Sequence, residues 1–543
     1  MKIEIKRIRA LALALLAAAP LAACGSDLTE VPYSFVAPEN FYRNADDALA
    51  ALSGAYDGFQ ADVDALGVDD TEYYGRHYWM LVEYPTEVMT LRLGATNERT
   101  EPDIFRVHPG HTYIAGVWQS AFHAVNRANA VIDNVPGITN MDPALRDRIV
   151  AEAKFLRAYH YFNLVRLFGG VPLYLNETKS LDDLRRARST EAEVYQAIIA
   201  DAEAAASVLP PSYTGNNRGR ATSGAARSLL AKVNLQYGAV GGGGAAAFQK
   251  AEQWAREVVA SGRYSLLGSY AAIFDQNNEN NAEVIFDIQN TRVPGAGGHM
   301  CDQFAPRPQP SQGDFPWCDS QNPSFSAEWP FFYSYHPNDT RRAATWLLSY
   351  TKKSGATVQW DSAALAVNAY GSSGPIPQKY IDKVPGSQDG AEEPNFILIR
   401  YADILLSLAE AINENSGPNG EAYGLVDQVR ARANVPPLVA GLSKQAFKDS
   451  LFLQRRYELA MEGHGHFDSQ RNWAWAKQRI ESVSTNAMRT FWNRPRPAGC
   501  GSCIARDSSV PKVTLTLDDH HRFYPLPQEA IDVNPLLVQN AGY

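Results

Sequence analysis

Three groups of side chains have the types and spacing to do chemistry. The first is HGHFD, where His464, His466 and Asp468 alternate. In an extended segment they point one way, and two imidazoles with a carboxylate can ligate a metal. His108 and His111 make a weaker version of the same case. The ordinary reading of HGHFD is a helix end at Glu462-Gly463 followed by surface histidines, and no metal or other cofactor is expected. Glycoside hydrolysis would need two carboxylates about 5 to 10 Å apart across a cleft, and nothing marks such a pair among the many acids. No G-x-S-x-G nucleophile motif occurs. Gly241 to Gly244 lacks the Lys-Ser/Thr of a phosphate loop and reads as a flexible joint.

The second group is aromatic. Tyr73, Tyr74, Tyr78, Trp79 and Tyr84 precede Arg92, Asn97 and Arg99, and a second concentration, DFPWCDSQNPSFSAEWPFFYSY, runs to Tyr335. Sugars present flat C–H faces that lie against indole or phenol rings, with polar side chains taking the hydroxyls. Such rings must be exposed and held in loops on a rigid support. Trp317, beside Cys318, is the leading candidate; Trp329, Tyr333, Trp79, Arg92 and Asn97 follow. Trp118, Trp254 and Trp473 sit on helical stripes and are assigned to packing.

The third group is the five cysteines. Leu21-Ala22-Ala23-Cys24 ends an apolar run that follows Lys2 to Arg9, the pattern of a secretory signal (residues 1–23) closed by a bacterial lipobox, with Cys24 as the lipid-bearing residue. Residues 24–35 would be a tether. Cys301/Cys318 and Cys500/Cys503 remain as two pairs suited to local disulfides outside the cytoplasm. A four-cysteine zinc site is the rival, weak because a single CxxC lacks a second.

The elements that must hold these groups are mostly helical. Asn44 to Gln60, Ile114 to Val135, Ala151 to Phe168, Thr190 to Leu209, Ala221 to Tyr237 and Ala245 to Ser261 carry helical apolar spacing with caps or stops. In Ala151 to Phe168, Phe155, Ala158, Phe162 and Val165 form one stripe, while Lys154, Arg157 and Arg166 are expected to reach water. Asp62 to His111 reads as loop-rich. Glu283 to Gln289 alternates like a strand, and the stretch to Asn395 is rich in Gly, Pro, Ser and rings. Phe396 to Asn413 reads as a helix, followed by helices over Ala422 to Val435 and Ala446 to Glu462. The expected division is 36–282 helical, 283–395 a loop-rich insertion with short strands, and 396–543 helical. The expected fold class is mostly α: antiparallel helical hairpins, tetratricopeptide-like, with one loop-rich, aromatic-rich subdomain.

Apolar residues make up 45% and charged residues 20% of the 543, as in a globular chain. Net charge is −9; removing the +3 of the first 23 residues leaves −12. An acidic body argues against nucleic acid, whose phosphates need clustered Lys and Arg.

Several of these segments resemble the SusD/RagB family of surface lipoproteins. They are AEAKFLRAYHYFNLVRLFGGVP, RATSGAARSLLAKV, RYADILLSLAEAIN, VRARA, RRYELAMEG and the terminal FYPLPQEAIDVNPLLVQNAGY. Departures occur at Gln454, Gly465-His466 and Ser469-Gln470, which puts any family salt bridges there in doubt. The resemblance implies a non-enzymatic lipoprotein at the outer-membrane surface. Its partners would be an oligosaccharide and a SusC-like TonB-dependent transporter, with the ligand site on loops. Peptide cargo on the same fold, a pure helical-repeat adaptor and a secreted hydrolase are the alternatives.

Overall fold

The computed structural model describes residues 41–60, 73–91, 97–305, 314–318, 325–359, 375–388, 390–485 and 515–543. The first part contains α1 (Ala45–Asp57), α2 (His77–Val82), β1 (Met89–Leu91), α3 (Asn97–Asp103), α4 (Thr112–Asn134), α5 (Pro143–Phe168), α6 (Glu191–Val208), α7 (Ser223–Ala239) and α8 (Gly244–Ala260). The middle holds β2 (Val284–Ile288), α9 (Met300–Phe304), β3 (Phe325–Ala327), α10 (Trp329–Ser334) and α11 (Thr340–Thr345). It continues with β4 (Trp346–Leu347), β5 (Ser349–Thr351), β6 (Thr357–Gln359), β7 (Ile376–Pro377) and β8 (Phe396–Arg400). The last part has α12 (Tyr401–Ser416), α13 (Gly420–Arg432), α14 (Lys444–Leu459), α15 (Gly465–Arg471), α16 (Trp473–Thr485) and α17 (Gln528–Val533).

From α4 to α8 each helix packs on the one before it, and α12 then docks on α8 as though the chain between them were absent. This is a mostly α, helical-hairpin array. Local chemistry sets its ends. The Asn44 side chain accepts from the amides of Asp46 (2.9 Å) and Asp47 (3.0 Å) to start α1. Thr190 and Glu193 form a capping box at α6. Pro143 opens α5, and Gly169, at φ 73°, closes it in a conformation other residues resist.

The centre is α5, where every residue from Phe155 to Phe168 is buried. Each large apolar side chain there contributes about 1.5 to 3 kcal/mol. The expectation that Arg157 and Arg166 reach water fails. Arg157 lies against Asp201 of α6 at 2.7 and 2.9 Å. The Arg166 guanidinium sits between the rings of Phe162 (3.8 Å) and Phe467 (3.7 Å). From Phe155 to Phe168 the helix has no wet face, so Arg157 and Arg166 take internal partners, while Lys154, just before that stretch, is only half-buried. The glycine run is likewise no loose joint. A Cβ at Gly241 would lie 2.5 Å from the Tyr195 ring, and one at Gly243 2.5 Å from Tyr237. The α7–α8 turn is packed against two stacked tyrosines.

The insertion leaves through β2 and returns through β8, which pair antiparallel from Val284↔Arg400 to Ile288↔Phe396. Phe396 to Arg400, read as helix from sequence, is this strand. All five residues are buried, so the apolar run carried no period by which to tell strand from helix. At the ladder's end the insertion is fastened by buried ions. Arg400 meets Glu283 (2.8 Å), Glu458 (2.7 Å) and Glu462 (2.6 Å). Arg432 bridges Glu283 and Glu458. The insertion contributes Arg341, which reaches Glu458 (3.1 Å) and Asp339 (2.7 Å), and Lys379, which reaches Glu462 (2.7 Å). Despite burial, Arg432, Arg400 and Arg341 hold the Glu458 carboxyl far below its ordinary range.

Candidate ligand-binding site

The two aromatic regions named from sequence meet in space. Strand β1, which ends the first, pairs antiparallel with β3 in the second: Met89↔Ala327, Thr90↔Ser326, Leu91↔Phe325. Leu91 is followed by residues 92–96 and Phe325 preceded by 319–324, so both segments connect at the same end of the ladder. Its floor is aromatic, with Phe325 stacked on Tyr84 (4.6 Å) and edge-on to Phe304 (5.4 Å).

Trp317 stands on a short segment, 314–318, fixed at both ends. Cys318 is joined to Cys301 of α9, with the Cα atoms 5.9 Å apart. Asp314 accepts from the Ser354 amide (2.8 Å) and hydroxyl (2.7 Å) beside the β5–β6 hairpin. The Ser387 amide donates to the Trp317 carbonyl at 3.2 Å. Phe315 is fully buried and meets the Trp317 ring edge-on at 5.1 Å, holding a half-buried indole at the surface. Lys383 places its ammonium 5.7 Å from the indole centre, a cation–π contact that sequence reading missed. Nothing in the sequence ties residue 383 to 317; the β-bridge of Cys318 to Ser387 does.

Tyr333 is 60% exposed on α10, its ring 5.4 Å from buried Phe332. Trp329 opens α10 and Asn97 opens α3; only their backbones are described. Arg92, Cys24, Cys500 and Cys503 lie outside the described residues.

Trp79 is corrected. It is 0% exposed, its Nε1–H donates to the Tyr74 carbonyl at 2.6 Å, and its ring meets Phe396 at 4.2 Å. Within Asp62 to His111, read as loop-rich, HYWMLV forms the fully buried α2 and Asn97–Asp103 forms α3, while the other described residues are mostly turns and bends. Tyr73 and Tyr74 are core too, and Asn163 Nδ2 donates to both hydroxyls. The unbroken apolar run YWMLV was the signal that these rings pack inward. Trp118 is 8% exposed and lies on the inner stripe of α4.

The HGHFD group is also corrected, because its histidines are not on the surface. His464 Nδ1 lies 3.4 Å from Lys232 Nζ, and His466 Nε2 lies 3.1 Å from the Arg522 carbonyl. Asp468 is paired with Arg455 (2.9 Å) and Arg471 (2.8 Å). Burial, with Lys232 next, pushes His464 well below its ordinary value, and burial pushes His466 down to about 3. The three side chains serve separate structural bonds. The substituted neighbours are absorbed in the same way: Gln454 Oε1 accepts from Arg430 at 2.8 Å, and Ser469 Oγ from Arg456 at 2.6 Å.

A concavity lies elsewhere. It is a cleft of about 550 Å³ between α4 and the C-terminal α17, lined by Trp118, Phe122, Tyr174, Leu184, Val533 and Leu537 among others. Among the described residues, none proposed from sequence as a ligand contact lines it.

Residues 68–235 match a family model described as starch-binding associating with outer membrane, and residues 272–543 match the SusD family model. The chain is 25% identical over 558 residues to a SusD-like protein, P25, of Formosa agariphila, covering 96% of each. Its fold is similar to that of a SusD homolog from Bacteroides thetaiotaomicron (TM-score 0.75, 21% identity, 93% of this chain and 98% of that one). It is also similar to surface glycan-binding protein A from Bacteroides thetaiotaomicron, solved in complex with laminarihexaose (TM-score 0.69, 20% identity, 92% and 99%). With one family model spanning half its length and a helical array of the same architecture, the chain belongs to the SusD family.

Proposed function

We propose that this protein is a non-catalytic glycan-binding lipoprotein. It is anchored by lipid at Cys24 on the outer face of the bacterial outer membrane. There it captures an oligosaccharide and passes it to a SusC-like TonB-dependent transporter. The observation that carries the binding step is the half-buried Trp317, pinned by the Cys301–Cys318 bond, the Asp314–Ser354 contacts and Phe315. A ring whose position is already fixed loses little freedom when a sugar face lies on it. Lys383 beside it, and Tyr333 on α10, supply a hydroxyl partner and a second ring. Arg92, Asn97 and Trp329 belong to segments that begin or end near the β1–β3 ladder and complete the candidate set. The described starch-binding model and the laminarihexaose complex of a neighbour support a neutral glycan as the class of cargo.

Native gels cast with single soluble polysaccharides test both halves of this reading. The wild-type protein is expected to be retarded by at least one of laminarin, starch or xylan, with no new reducing ends released from it. Retardation by none, or steady release of reducing ends, would overturn the reading.

A further inference from the structure

The cleft between α4 and α17 has an apolar lining and an apolar rim. Leu175 (39% exposed), Val533 (63%), Leu536 (52%) and Val538 (72%) stand exposed around the α17 end of the chain and the segment after α5. A volume of about 550 Å³ suits several side chains of one extended strand. It is too small and concave for the flat patch of about 800 Å² per partner that a protein–protein interface needs.

The described chain begins near this cleft, where Tyr42 feels the charge of Glu177, the neighbour of cleft residue Thr178. Tyr42 is held at φ 56°, a left-handed conformation that a tyrosine keeps only when its surroundings fix it. Its phenol is half-buried near Glu177, and burial with that carboxylate's charge pushes its pKa up to about 12. The next residue, Thr178, lines the cleft and donates its amide to Asn126 of α4 at 2.7 Å. On the proposed reading of a lipoprotein cut before Cys24, on which this inference rests, seventeen residues, Cys24 to Asn40, lie upstream and can extend to about 55 Å. The cleft runs along α4 from Asn126 to Ala115, eleven residues or about 16 Å. The upstream segment carries Val31-Pro32-Tyr33-Ser34-Phe35-Val36-Ala37-Pro38. Its two prolines favour an extended chain, which lowers the entropy lost on docking.

We infer that Val31 to Pro38 docks in the cleft between α4 and α17. The segment places Phe35 and Val36 against the apolar wall of Trp118, Phe122 and Leu537. Docking shortens the free tether to the residues before Val31. The face bearing the C-terminal segment is thereby held toward the lipid, in place of a body swinging on the whole length of chain.

Photocrosslinking of the intact lipidated protein in detergent tests this. With p-benzoylphenylalanine at the exposed position Val533, irradiation is expected to join α17 to residues 28–38 of the same chain, located by mass spectrometry. Phe35→Asp with Val36→Asp, which would bury two charges in an apolar cleft, is expected to lower that yield about tenfold or more with the melting temperature nearly unchanged. Three results overturn the proposal: no product within residues 28–38, products joining two copies, or a yield indifferent to the two aspartates.

Discussion

The helical array and the insertion between β2 and β8 differ in regular structure and in what they leave at the surface. In the array, cations, carboxylates and rings are consumed internally: Arg157 with Asp201, Arg455 and Arg471 with Asp468, Trp79 against Phe396. In the insertion the regular structure is short, ladders of two or three residues. Order there comes from buried rings such as Phe304, Phe315, Phe325 and Trp346, from the Cys301–Cys318 bond and from side-chain bonds, while among the described residues Trp317 and Tyr333 stand at the surface. A scaffold whose ions and rings pair with one another makes a rigid support. A loop region that is merely fastened can present groups to something else. The buried ions of Arg400, Glu458, Arg341 and Lys379 lie on the seam between the two regions.

The largest expected effect breaks that seam. Glu458→Ala leaves Arg400, Arg432 and Arg341 buried without their shared partner, and is expected to cost about 3 to 5 kcal/mol in urea unfolding. A loss below about 1 kcal/mol would mean that the seam contributes little to stability.

Next is the fastening within the insertion. Cys301→Ser opens a loop of sequence separation 17; chain entropy sets the loss near about 3 kcal/mol. Far-UV circular dichroism should keep its helical signal. Loss of that signal together with the disulfide would show that the insertion is not subordinate to the array.

A smaller effect, on binding, separates display from packing. Trp317→Ala is expected to weaken glycan affinity about tenfold, or about 1.4 kcal/mol, while the lost ring contact costs at most about 1.5 kcal/mol of stability. The reverse pattern would assign Trp317 to the core.

The gentlest effect is a slope with pH. Burial raises the Asp287 carboxyl from 3.8 to about 7 and Glu83 from 4.5 to about 7. Both bind protons more tightly folded than unfolded, so their contribution is complete below pH about 4 and is lost as pH rises through about 7. Asp287→Asn should flatten the melting temperature across that window; an unchanged slope would contradict the assignment.

The array was legible because its helices carry a period and punctuation: the stripe of Phe155, Ala158, Phe162 and Val165, the Thr190–Glu193 box, Gly169 at the stop. What failed has physical reasons. Phe396 to Arg400 is buried throughout and runs straight into α12, so strand and helix read as one apolar segment. Arg157 and Arg166 were placed by their usual exposure, which a helix surrounded on all sides overrides. For the candidate site, the two aromatic regions could be named from sequence, but their pairing through β1 and β3 joins residues more than two hundred positions apart through three-residue strands. No local pattern encodes that contact. Trp79 and Trp317 both sit among aromatics and polar residues and were both named as candidates; the difference lies in the flanking run, Met80-Leu81-Val82 for the one and Pro316 with Cys318 for the other.

The central claim is that the rings fastened on the insertion hold a glycan. A glycan array probed with the mature protein and with Trp317→Ala/Tyr333→Ala tests it most directly, with both melting temperatures recorded. A defined set of glycans should retain the first and not the second, at melting temperatures within a few degrees. Equal retention of both proteins, or retention of neither by any glycan, would contradict the account.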